Sequence, residues 1–154
     1  MNLSANFSLK ELTRSDTATR LGIDNTPDQK TIDNLKMLCE KVLQPVRDHF
    51  GKTVTVTSGF RSSETNQATG GSKSSDHVKG QAADIEIAGV PNAELAQWIM
   101  DNLDYTQLIL EFYTQGIPDS GWVHVSFDPN NLKKQELTAV KVAGKTQYLS
   151  GLVA

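Results

Sequence analysis

The sequence predicts one domain that mixes helices with strands. Apolar residues recur at helical spacing over positions 32–46 and 91–103, and several segments of five to seven residues alternate apolar with polar. A long Ser, Thr and Gly-rich loop separates the first strand from the others. At 154 residues and 38% hydrophobic content, the chain can bury a core without disulfide staples and is neither disordered throughout nor collagen-like.

Each element has its own signal. Phe7-Ser8-Leu9-Lys10-Glu11-Leu12 opens a helix, with Ser8 to cap it, Glu11 to reach back and Phe7 to pack on Leu12. A short helical piece in the polar stretch 13–25 is expected to stop at Gly22. The main helix follows, with Thr26 as its cap, Pro27 at its first position and Gln29 completing a capping box. Ile32, Leu35, Leu38, Cys39, Val42 and Val46 form its apolar stripe, and Pro45 is expected to kink or end it near Gln44. Cys39, the one cysteine, reads as a small buried hydrophobe, so no internal disulfide exists.

Positions 53–58 alternate and read as a strand; the loop 59–76 then carries a short helix over 64–68. Strands are expected over 81–87, 107–113 and 122–127, with a helix over 91–103 that presents Leu95, Trp98, Ile99 and Leu103 on one face. Gly116-Ile117-Pro118 marks the turn between the last two of these strands, and 137–149 reads as a hairpin about Gly144. No repeat, low-complexity tract or linker divides residues 1–154.

Charge narrows the partners. With 15 Lys and Arg against 18 Asp and Glu, the chain lacks the basic excess that phosphate neutralisation demands, so nucleic acid is not an expected partner. No apolar run approaches the roughly 18 residues of a membrane helix. The opening MNLSANFSLKEL lacks the basic and apolar regions of a secretory signal. The expectation is a monomer, cytoplasmic at synthesis.

The strands share a pattern. Ala83, Ile85 and Ile87 fall on one face and Asp84 on the other; Leu108, Leu110 and Phe112 oppose Glu111; Val123, Val125 and Phe127 oppose His124. If the strands are neighbours, Asp84, Glu111 and His124 converge on one non-core face. Trp122 and Tyr113 fall on that face by the same alternation. His77 precedes Asp84 by a loop that Gly80 lets turn, so His77, Asp84 and His124 can approach one metal ion. Two imidazoles and a carboxylate are a common catalytic zinc set, with the fourth position left for water. His49, near a helix end, reads as a surface residue.

The run Ser75-Asp76-His77-Val78-Lys79-Gly80-Gln81-Ala82-Ala83-Asp84 fits S-x-H-x-x-G-x-A-x-D and resembles the zinc motif of the D-alanyl-D-alanine carboxypeptidase family. That family includes VanY-like and VanX-like peptidases and many phage endolysins. Thr57-Ser58-Gly59-Phe60-Arg61-Ser62 is similar to its SG-[YF]-R-S segment, and Trp122-Val123-His124-Val125-Ser126 to its W-x-H-x-S strand. The resemblance covers roughly 54–127. It implies zinc at His77, Asp84 and His124, and an α+β fold with a central, mainly antiparallel sheet whose non-core face bears a single zinc site. It also implies that Arg61 holds a substrate carboxylate, a task that suits a planar guanidinium, and that Ser75 helps bind substrate.

One departure stands out. Many members carry the general base three positions before the last histidine, and that position is Gly121 here. Glu111 on the preceding strand resembles the acid of a phage-type subgroup; Asp119 is the alternative. The expected activity is zinc-dependent cleavage of peptidoglycan stem peptides by an endolysin-type endopeptidase, or by a virion component with the same chemistry. A D-Ala-D-Ala carboxypeptidase is one alternative. A non-catalytic zinc-stabilised binding module, as in the related hedgehog domains, is the other.

Overall fold

The computed structural model describes residues 1–153 and has the α+β architecture, with the main helices packed on one face of a mostly antiparallel sheet. A two-strand ribbon, β1 (Asn2–Ser4) and β2 (Phe7–Ser8), precedes the first helix and has no counterpart among the expected elements. Ser8 then caps α1 (Leu9–Thr13), its hydroxyl accepting the Glu11 N–H, while Phe7 and Leu12 are both buried. α2 (Asp16–Leu21) ends at Gly22 in the left-handed conformation.

The main helix departs from expectation twice. α3 (Gln29–Leu38) is capped by Asp28, whose carboxylate accepts the Thr31 N–H at 2.8 Å, and not by Thr26. Thr26 instead donates its N–H to Asp24 at 2.9 Å, and the following Pro27 disfavours helical backbone at that residue. Nor does Pro45 break the helix. A π-helical turn, Cys39–Leu43, in which the Gln44 N–H reaches the Cys39 carbonyl, accommodates the ring and continues into α4 (Gln44–Phe50). Cys39 is buried, and burial pushes its thiol pKa up to about 12, which removes it as a nucleophile. His49 is exposed and stacks on Trp98 with ring centroids 4.4 Å apart.

The large sheet has the order β3-β4-β6-β5-β7-β8. β3 (Thr55–Ser58), β4 (Ala82–Glu86), β6 (Trp122–Ser126) and β5 (Gln107–Glu111) pair antiparallel. The expected short helix in the loop is α5 (Ser63–Ala68), and α6 (Asn92–Asn102) follows β4. β7 (Gln135–Val142) lies parallel to β5, because residues 127–134 bring the chain back beside the start of that strand. There the Lys134 and Gln135 N–H groups donate to the Tyr105 and Thr106 carbonyls. β8 (Lys145–Ser150) returns antiparallel through Ala143 and Gly144, both at positive φ, which is the twist a two-residue hairpin favours.

Ala83, Ile85, Leu108, Leu110, Val123 and Val125 point to the core and pack with Leu35, Leu38, Leu95 and Ile99. Phe112 and Tyr113 break the expected alternation. Phe112 adopts φ +55°, so its ring lies 5.5 Å from that of Trp122, and Tyr113 packs against the core in its place. No helix among the described residues is long and apolar enough to cross a membrane.

Candidate metal centre

Sheet register aligns the ionisable residues. Asp84 pairs directly with His124, and one antiparallel pair further along Glu111 stands opposite Trp122. Because side chains alternate, Asp84, His124 and Glu111 share the face away from the core. His77 arrives from the loop. Ser75 caps the single 3-10 turn Asp76–Lys79 by accepting the His77 N–H at 3.2 Å. Gly80 ends that turn at φ +72°, and a Cβ there would lie 2.7 Å from the Thr31 side chain, so only glycine delivers the chain into β4 along this path.

His77 is held in one tautomer. Its Nδ1 lies 2.7 Å from the Gly59 carbonyl, which can only accept, so the proton sits on Nδ1 and the Nε2 lone pair faces Asp84 at 3.4 Å. His124 Nδ1 is 3.0 Å from the same Asp84 Oδ1. The two imidazole centroids are 5.2 Å apart, and one donor atom from each of the three residues lies within 4.8 Å of the others. Two neutral imidazoles and a carboxylate converging from buried positions, one imidazole oriented by a backbone carbonyl, suit zinc in both chemistry and support.

The electrostatics follow from this crowding. Burial opposes charge on Asp84, but the contacts with the His124 and His77 imidazoles outweigh it and hold the carboxyl well below the usual carboxylate range. Burial likewise opposes charge on His124, yet the Asp84 contact raises its pKa above that of an ordinary imidazole. Glu111 moves the other way: burial and the nearby Asp84 charge raise its pKa, against the pull of His124, Trp122 and Arg61. Burial pulls the Arg61 pKa down, against Asp84 and Glu111.

A cleft of about 430 Å³ covers these groups, and Arg61, Ser75, Glu111 and Trp122 line it together with the three clustered residues. Arg61 Nη1 donates to Thr69 at 3.3 Å, while its Nε is enclosed without a partner. The Ser75 hydroxyl is already engaged in capping, so it shapes the His77 turn as well as lining the cleft. Asp119 is exposed and lines a separate hollow with Glu86 and Asn92.

Position 121 has no room for an acidic side chain. A Cβ at 121 would lie 1.9 Å from the Glu111 carbonyl oxygen, and φ there is +65°, so no side chain fits the position. Gly121→Ala is expected to destabilise the protein by about 2 kcal/mol or more, read as a lower urea midpoint at unchanged slope. An unchanged midpoint would show that β5 and β6 tolerate a side chain there.

Two parts of the cleft were not read from sequence. One is the wall formed by Gly70 and Gly71, held by buried Asn66, whose Nδ2 donates to the Ser72 carbonyl at 2.8 Å. The other is Tyr148 on β8. Tyr113, expected on this face, is not part of it, because the left-handed Phe112 turns it to the core.

The family model described as Peptidase M15 matches residues 5–126, a span that includes the clustered histidines, Asp84, Arg61, Ser75 and Glu111. No curated protein matches the chain.

Proposed function

The chain belongs to the M15 peptidase family, and from that premise we propose that it is a zinc metallopeptidase cutting amide bonds in peptidoglycan stem peptides. The observation that carries the reading is the convergence of His77, Asp84 and His124 within 4.8 Å, with Glu111 on the same sheet face. A binding module stabilised by metal needs neither a half-buried acid beside the ligands nor an arginine turned toward it.

His77, Asp84 and His124 would hold one zinc ion per chain, with Asp84 ionised and both imidazoles neutral. When bound, zinc supplies Lewis acidity toward a water molecule and the scissile carbonyl. Glu111 would accept a proton from the attacking water and pass it to the leaving amine. Trp122 and the Gly70–Gly71 wall bound the space around the reacting bond. Arg61 presents its guanidinium to a substrate carboxylate.

The cleft extends beyond Glu111 as far as Tyr148, which supports an endopeptidase of the endolysin type, able to take substrate on both sides of the cut. Arg61 favours a second reading, a carboxypeptidase that removes terminal D-Ala. Turbidity of exposed cell walls separates them: the endopeptidase clears the suspension, chelation stops it and zinc restores it. Release of free D-Ala from a suspension that stays turbid would establish the carboxypeptidase.

Arg61→Ala is expected to raise KM for a carboxylate-bearing peptide by about tenfold to a hundredfold, because a charge-assisted hydrogen bond to a buried partner is lost. Arg61→Lys should recover only part of it, since the point charge lacks the bidentate fork. An unchanged KM in Arg61→Ala would remove the clamp.

A further inference from the structure

Residues beyond 126 lie outside the segment that matches the family, and they build β7 and β8, which widen the sheet on the Glu111 side. Register carries one row of side chains across four strands: Trp122 on β6, Glu111 on β5, Ala139 on β7 and Tyr148 on β8. Ala139 is fully buried, and Tyr148 beyond it is 55% exposed. Tyr148 lines the same cleft as His77, Asp84 and His124. Strands lie about 4.8 Å apart, so Tyr148 stands about 10 Å from Glu111, the reach of about three residues of extended peptide. Arg61, which follows β3, marks the other end of the strand order.

We propose that Tyr148 is a substrate-binding residue, packing against the aliphatic stem of a peptide side chain about three residues from the bond cleaved. The inference rests on the peptidase reading and gives it a length requirement. An exposed ring offers an apolar face to methylene groups and a hydroxyl to the polar end of the same side chain. The hairpin thus selects long stem peptides over short ones.

The test measures binding to the zinc-loaded Glu111→Gln protein, with and without Tyr148→Ala or Tyr148→Phe. Calorimetry follows a stem pentapeptide, and competition follows the dipeptide that spans only the reacting bond. Tyr148→Ala should weaken the pentapeptide about tenfold more than the dipeptide, while Tyr148→Phe stays within about threefold of the parent, as loss of ring packing but not of the hydroxyl predicts. Zinc content and thermal midpoint should not move. Equal effects on both peptides, no effect on either, or no pentapeptide binding by the parent would overturn the assignment. If the pentapeptide binds in this Tyr148-dependent way and the unmodified protein leaves it uncut, the peptidase reading falls, and with it the distance to a cut bond, while Tyr148 remains a peptide-binding residue.

Discussion

Glu111→Gln is expected to lower peptide hydrolysis by roughly a hundredfold to ten-thousandfold while zinc content stays at one per chain, the usual scale for losing a positioned general base. The amide keeps the shape of the carboxylate and accepts hydrogen bonds, but it cannot take a proton from water at neutral pH. The geometry makes the experiment clean. Glu111 shares a face with Asp84 and His124 but is not one of the three residues whose donor atoms cluster, so its loss should not disturb the ion. Metal analysis and initial rates on the same preparation check both halves. Near-normal turnover would move the base elsewhere, although exposed Asp119 lines a different hollow. Loss of zinc in this variant would instead make Glu111 a ligand.

The second large effect is at Asp84. Its Oδ1 lies 3.4 Å from His77 and 3.0 Å from His124, so one carboxylate organises both imidazoles. Asp84→Ala is expected to abolish stoichiometric zinc binding and with it hydrolysis, a fall of roughly a hundredfold or more, since even residues behind the ligands cost tenfold to a hundredfold in affinity. Acid should have a related effect on the unmodified protein. Zinc needs both imidazoles neutral, and the Asp84 contact raises the His124 pKa, so protons compete for the site at a higher pH than at an ordinary imidazole. Equilibrium dialysis should show zinc retention falling as pH is lowered through that range. Full retention by Asp84→Ala would remove this residue from the ligand set.

The site was legible where local patterning decides the outcome. Alternation alone put Asp84, Glu111 and His124 opposite their apolar rows; of the two pairings that bring them together, β5 with β6 joins sequence neighbours, whereas β4 skips β5 to pair with β6. His77 was legible because a glycine-terminated turn leads straight into β4. Alternation failed at Phe112 and Tyr113, where one residue at positive φ reverses the faces, and no propensity announces that in a phenylalanine. The cap at Asp28 and the π-turn before Pro45 turned on competing hydrogen bonds, Asp24 taking the Thr26 N–H and Gln44 reaching Cys39. The parallel placement of β7 was out of reach, because periodicity identifies a strand and not its neighbour. Tyr148 was therefore invisible as a cleft residue: only the β5–β7–β8 register carries it into line with Glu111.

The most direct measurement is mass spectrometry of the soluble fragments released from purified peptidoglycan by the zinc-loaded protein, by the chelated protein and by the Glu111→Gln variant. A zinc ion held by two histidines and an aspartate, with a glutamate base beside it, suits amide cleavage, whereas glycosidases rely on paired carboxylates. The account predicts fragments with new stem-peptide amino termini and no new reducing sugar ends, only from the zinc-loaded protein with Glu111 intact. New reducing ends, or no fragments at all from a protein with its zinc fully bound, would contradict it.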